Sequence, residues 1–310
     1  MQLFSGTPNL PFMRYRRVAM IASIIVTVVS LGSLLTRGLN FGIDFTGGLI
    51  LEVAYPQEVD LAAIRTDLAT AGFDKAQVQN FGSVSDVLIR LPPLPDKADS
   101  QAMQDRIMAV LRMRDAEPKL QRIENVGPQV GEDLAQQGGL AVIVALGLTF
   151  VYVMLRFRWK LAAGAIVATA HDVLTTVGFF SVFGLQFDLT VLGSVLAVLG
   201  WSLNDTVVIY DRIRDNFRLM RRNDPISIVN TSVNQTLSRT LMTGGTTLLV
   251  VLALLFLGGD TLYGFSVALV VGIIVGTYSS TYVASSMALA LKVAPADLMP
   301  AKQERVDELP

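Results

Sequence analysis

Three charged side chains stand where an apolar run should not hold them: Asp172, Asp205 and Arg239. The stretch Leu199-Gly200-Trp201-Ser202-Leu203-Asn204-Asp205-Thr206-Val207-Val208-Ile209-Tyr210 carries Asp205 inside an otherwise uncharged segment that starts near Leu189 and becomes charged again only at Asp211. A charge inside a bilayer is costly and marks a functional site by default. Counted back from Tyr210, Asp205 lies roughly 7–8 Å deep at 1.5 Å per residue. The stretch Gln235-Thr236-Leu237-Ser238-Arg239-Thr240 brings Arg239 to the edge of the next apolar segment at comparable depth, where a long side chain reaches inward. An aspartate facing an arginine in a low dielectric stays ionised, and one that loses its arginine takes up a proton. Asp205 and Arg239 are therefore the principal candidates for a proton-responsive pair.

Around them lie weaker candidates. His171 and Asp172 stand near the middle of the preceding apolar segment, and with Thr169, Thr175 and Thr176 they could continue a polar track towards Asp205. Equally, they could only hydrogen-bond neighbouring helices. Asn204 reads as a helix–helix hydrogen-bonding group. Thr243 shares a helical face with Arg239 and with Thr246 or Thr247.

Other chemistries find no support. The chain has no cysteine and one histidine, which removes thiolate catalysis, a disulfide framework and a multi-His metal site. No cofactor and no metal is expected, and the coupling ion would be H+. Phe41-Gly42-Ile43-Asp44-Phe45-Thr46-Gly47-Gly48 lacks the Gly-Lys-Ser/Thr ending of a P-loop and is expected to open no helix. Paired aspartates suit an intramembrane protease, but neither Asp172 nor Asp205 follows Gly-x-Gly, and an arginine neutralising one opposes two carboxylates sharing a proton. No hydrolytic chemistry is expected.

The elements that position these residues follow from composition. With 52% hydrophobic and 16% charged residues and a mean hydropathy of +0.51, the chain is an integral membrane protein. Its apolar blocks have the length of helices that cross a bilayer, at 18–36, 139–155, 161–184, 189–210, 240–258 and 262–285. The basic front and apolar middle of the first block suggest a signal peptide, but it is too long and lacks a cleavage motif, so it is expected to be a retained span.

Residues 37–138 read as a water-soluble domain. Leu49, Leu51, Val53 and Tyr55 alternate as in a half-buried strand, and Leu61, Ile64, Leu68 and Ala71 recur at helical spacing. Strands at 76–82 and 86–91, a break at Pro92-Pro93-Leu94-Pro95, a helix around 103–111 and a strand at 119–126 complete a βαββαβ order, which fits a ferredoxin-like α+β domain.

The basic residues set the orientation. Arg14, Arg16 and Arg17, the 156–160 loop, the 211–238 loop (Arg212, Arg214, Arg218, Arg221, Arg222) and the 292–310 tail (Lys292, Lys302, Arg305) alternate with loops at 186–188 and 258–261 that have no Lys or Arg. Both termini and the 211–238 loop are thus expected in the cytoplasm, and residues 37–138 outside. The Arg-rich segment is this topology signal, so no nucleic-acid partner is expected. Asp224-Pro225 supplies an N-cap and a first-position proline for a helix that leads into the fifth span.

Four stretches, 41–48, Asn125-Val126-Gly127-Pro128-Gln129-Val130-Gly131, 199–214 and 235–240, together with the six-span layout, resemble the SecD/SecF family of protein-export membrane proteins in the resistance-nodulation-division superfamily. The family usually has Tyr at Trp201 and Phe at Tyr210, and both changes keep an aromatic ring. The resemblance implies that this chain is one half of a twelve-span unit completed by SecD. It further implies association with the SecYEG channel, SecA, YajC and YidC, location in the bacterial inner membrane, and use of the proton-motive force to move preproteins after the SecA-driven step. Asp205 and Arg239 fall on the family's proton-pathway positions. In outline, protonation of Asp205 would loosen Arg239, and movement of spans four and five would reach the outer domain through spans one and two. The rival readings are a proton-coupled small-molecule exporter of the same superfamily and a passive scaffold of the export channel.

Overall fold

The computed structural model describes residues 8–81, 83–92, 100–112, 117–220 and 224–293. A 3₁₀ turn, Phe12–Arg14, precedes helix α1 (Arg16–Thr36). There follow β1 (Asn40–Phe41), the one-turn helix α2 (Ile43–Thr46), β2 (Gly48–Ala54), α3 (Leu61–Thr70), β3 (Gln77–Phe81), β4 (Ser83–Leu91), α4 (Ser100–Arg112) and β5 (Lys119–Val126). The chain continues through α5 (Pro128–Arg156), α6 (Trp159–Phe183), β6 (Gln186–Phe187), α7 (Leu189–Leu219), α8 (Pro225–Leu257), α9 (Asp260–Ser279), a π-helical turn (Ser280–Ala284) and α10 (Ser285–Ala290). Among the described residues, six helices are long and apolar enough to cross a membrane: α1, α5, α6, α7, α8 and the run from α9 to α10. Gly82, Pro93 to Pro95, Arg221, Arg222, Lys302 and Arg305 lie outside the described residues.

Local chemistry sets the helix ends. Pro128 and Pro225 occupy first positions, where a missing N–H costs nothing. The Asp188 carboxylate accepts from Val191 N–H at 2.8 Å and caps α7. Gly184 closes α6 at φ 64°, while Leu185 N–H returns to the Phe180 carbonyl at 3.0 Å.

The outer sheet has the strand order β3-β4-β2-β5, antiparallel throughout, the layout of a split βαβ unit. Leu49, Leu51 and Val53 face Ile64 and Leu68 of α3 and Ile107 and Leu111 of α4. Ile50 and Leu88 face the other way, against Ile43 of α2. The 41–48 piece thus does form a helix, a single turn that covers this second face of the sheet. β1 leaves the outer sheet altogether and pairs in parallel with β6, between α6 and α7.

The helices run further than apolar length alone suggests. α5 begins at Pro128, well before the apolar block at 139. The expected 211–238 loop is mostly helix, because Ile213 and Phe217 of α7 and Ile228 and Val229 of α8 extend the buried core past the last apolar block. Asn216 ties the two helices there, donating to Ser232 Oγ at 2.9 Å and to Gln235 Oε1 at 2.7 Å. Residues ahead of α1, without pattern in the sequence, dock on α8: Asn234 accepts from Leu10 N–H at 2.8 Å and donates to the Leu10 carbonyl at 2.9 Å.

α6 and α7 form the centre of the bundle. Half of the apolar window of each is buried, against 11% for α1 and α5. α9 approaches α7 through Gly264, Ala268, Gly272 and Gly276, spaced at four residues, and a Cβ on Gly272 would overlap Val198. Small residues permit such close approach, which membrane helices need because lipid provides no hydrophobic drive. α1 lies against α6 in the same way. Gly178 has no room for a Cβ beside Ser30, and the Ser33 and Ser181 hydroxyls meet at 2.8 Å.

Candidate functional site

Close approach of α7 and α9 brings two acids under the end of α9. Asp172 of α6 is fully enclosed. Its Oδ2 accepts from Ser279 Oγ at 2.6 Å and from Ser202 Oγ, and its Oδ1 lies 3.0 Å from His171 Nδ1. Asp205 lies one helical turn beyond Ser202 on α7 and is 9% exposed. Its Oδ1 accepts from Thr240 Oγ1 of α8 at 2.6 Å, and its Oδ2 from Ser280 Oγ at 2.6 Å. Ser279 and Ser280 are consecutive, so one dipeptide donates to both carboxylates. The π-turn begins at this dipeptide, and Ser285 Oγ donates across it to the Ser280 carbonyl at 3.2 Å. π segments of this length are frequent at functional sites.

The ion pair expected between Asp205 and Arg239 is not formed. Among the described residues no salt bridge joins them, and the Arg239 side chain is exposed. One residue is about 100° of helical rotation, so with Thr240 turned towards α7, Arg239 points away from the bundle. Its charge still acts on Asp205 through space. Thr243 spends its hydroxyl on its own helix, donating to the Arg239 carbonyl at 2.9 Å. Of the other candidates, His171 bonds its neighbour Asp172 while its Nε2 has no partner among the described residues. Thr176 Oγ1 donates to the Asp172 carbonyl at 2.8 Å.

Arg239 and Thr243 share their outward face with Thr246, and on the neighbouring helix Asn204 is exposed with Gly193, Ala197 and Gly200. A Cβ on Gly193 or Gly200 would meet nothing within 4 Å. Helix α7 thus buries one face in the bundle and offers a second, made of small residues ending in an amide, to whatever lies beside it.

Ser202, Thr240, Ser279 and Ser280 are functional candidates that the sequence reading missed. A signal was present, since Thr277-Tyr278-Ser279-Ser280-Thr281-Tyr282 interrupts an apolar span with six consecutive hydroxyls. Depth counting favours charges, and it passed over the groups that solvate them.

The far end of α7 touches the outer domain. Asp44 of α2 accepts from Leu189 N–H at 2.8 Å, a second cap on α7 beside Asp188. The 41–48 turn is held from the other side by α5, where a Cβ on Gly131 would come within 2.7 Å of Gly47 N. The charges of both caps reach Arg90 of β4. Burial pushes its guanidinium below the usual arginine range, while the charges of Asp188 and Asp44 pull it back up.

A six-span helical bundle with an α+β domain after its first span, and acids solvated by hydroxyls inside the bundle, defines a multi-pass membrane protein of the transport class. Residues 106–294 match the family described as protein export membrane protein SecD/SecF, C-terminal, and residues 32–58 match the SecD/SecF GG motif. The chain belongs to the SecD/SecF family. It is 47% identical to protein translocase subunit SecF of Pseudomonas aeruginosa, over 100% of both chains, and 46% identical to that of Vibrio alginolyticus, over 100% of this chain and 99% of that one. The crystal structure of SecDF from Thermus thermophilus, a translocon-associated membrane protein, superposes with a TM-score of 0.83 at 38% identity, covering 93% of this chain and 39% of that one. This chain therefore corresponds to about two-fifths of that protein.

Proposed function

We propose that the chain pairs with SecD and uses the proton-motive force to promote preprotein translocation through SecYEG after the SecA-driven step, with no hydrolytic chemistry of its own. YajC and YidC are the further neighbours of this reading, and the bacterial inner membrane is its location, with both termini cytoplasmic and residues 37–138 outside. The observation that carries it is Asp205, a membrane-buried acid beside an outward-facing arginine. Arg239, Thr243 and Asn204 are polar groups on an outward membrane face, and such a face calls for a second polar membrane surface beside it. The remaining length of the SecDF relative supplies a source for it.

In this reading a proton arriving at Asp205 removes the charge that Thr240 and Ser280 solvate. α8 and the π-turn then change their hold on α7. Because α7 is one uninterrupted helix from Leu189 to Leu219, its displacement reaches Asp44 directly and through it the outer sheet, in addition to the route through the first two spans. Each charge crossing the membrane yields about 2.3 kcal/mol per 100 mV, enough to move a domain against an unfolded chain but not to unfold a stable cargo. Proton uptake by proteoliposomes holding this chain with SecD tests the proposal. Wild type should take up protons on acidification of the outer side and Asp205→Asn should not, whereas equal uptake would leave a passive scaffold.

A further inference from the structure

At the end of the bundle away from the outer domain, α1 and α10 part to leave a groove of 440 Å³ lined by Arg16, Arg17, Met20 and Ile21 on one side and Ser286 and Met287 on the other. Its mouth is cationic and its floor apolar. Arg16 is held at the mouth by a hydrogen bond from Nη1 to the Met13 carbonyl at 3.3 Å. Ser286 is 8% exposed, and its Oγ has no hydrogen-bond partner among the described residues. A helical serine ordinarily returns its hydroxyl to the backbone of the preceding turn. Ser285 does so across the π-turn, but Ser286, one residue on, does not. A buried hydroxyl without a partner asks what acceptor completes it. The exposed rings of Tyr15 and Trp159 lie at the same end of the bundle, where aromatic side chains mark the headgroup level of a bilayer.

We propose that this groove binds one anionic phospholipid of the inner leaflet. The phosphodiester sits against Arg16 and Arg17, an ester or glycerol oxygen accepts from Ser286, and an acyl chain runs along Met20, Ile21 and Met287. A protein helix would also cover the apolar floor, but two adjacent arginines at headgroup depth match a surface of negative charge, which anionic lipid supplies. The assignment to the inner leaflet rests on the orientation given under Proposed function, whereas the site and its charge preference do not.

The test uses this chain in complex with SecD, in nanodiscs of equal phosphatidylglycerol and phosphatidylcholine, followed by native mass spectrometry of the lipid retained after mild extraction. The wild-type complex should retain phosphatidylglycerol over phosphatidylcholine by about tenfold, and Arg16→Gln with Arg17→Gln should bring that preference close to parity. Ser286→Leu fills the groove and leaves both arginines in place, and it should lower retention of both lipids. Equal retention of the two lipids by wild type, or the same preference in wild type and the double variant, would overturn the proposal. So would unchanged retention in Ser286→Leu, the outcome expected if a helix of SecD already fills the groove. Asp205→Asn should retain lipid as wild type does, so failure of the proton reading and failure of this one are separate results.

Discussion

Asp172 and Asp205 are both membrane acids solvated by serine hydroxyls, yet their surroundings differ in one respect. Asp172 is closed on every side by α6, α7 and α9, and its hydrogen bonds come from the centre of the bundle. Asp205 sits at the edge of the same cluster, with two hydroxyls behind it and the outward-facing Arg239 nearby. A carboxylate with every approach closed holds helices together, whereas one at an edge can exchange a proton and report its state to a neighbour. The dipeptide Ser279-Ser280 donates to both, one hydroxyl to each acid.

Removing the inner acid should cost most in stability. Asp172→Ala leaves Ser202, Ser279 and His171 without their acceptor, a loss on the order of 3 kcal/mol, read as a lower unfolding temperature of the purified complex and reduced recovery with SecD. Asp172→Asn keeps an acceptor and should restore most of that stability. If Asp172→Asn instead assembles normally and abolishes proton uptake, the contrast between the two acids fails and Asp172 belongs to the pathway.

Gly272→Val attacks the framework that both acids share. Overpacking against Val198 should cost about 1–3 kcal/mol, and a disulfide designed between α7 and α9 should form more slowly in the variant. An unchanged rate would mean that the two helices do not need this approach. Asp44→Ala removes one of two caps on α7, about 1 kcal/mol. Its informative readout is the protease sensitivity of the outer domain at two external pH values, which should lose its pH dependence if α7 carries the movement. Thr243→Val should be nearly silent, changing proton uptake by less than about twofold, because that hydroxyl bonds its own helix.

Much of this was legible in the sequence, for reasons that particular residues make plain. The alternation of Leu49, Leu51 and Val53, and the charge-free lengths of the spans, record burial by period, so the outer βαββαβ order and the six crossing helices could be read directly. Asp205 was visible because one carboxylate in an apolar run is conspicuous. Its surroundings were not, since Thr240 and Ser280 stand 35 and 75 residues further on. The hydroxyl run from Thr277 to Tyr282 marks its span as unusual, but nothing in the run says which hydroxyl meets which acid. Depth puts Arg239 at the level of Asp205, but depth carries no rotation, and rotation turns the arginine outward while Thr240 faces the carboxylate. The β1–β6 pairing lay beyond reach for a similar reason, because two residues carry no period.

Protonation of Asp205 is proposed to drive the work of the complex. This is tested most directly by preprotein translocation into inverted inner-membrane vesicles, with the SecA step halted partway and a proton-motive force then applied. Vesicles carrying wild-type chain and SecD should complete translocation at a rate at least about tenfold above vesicles carrying Asp205→Asn, with equal amounts of assembled complex in both. Equal rates under the applied force would contradict the account.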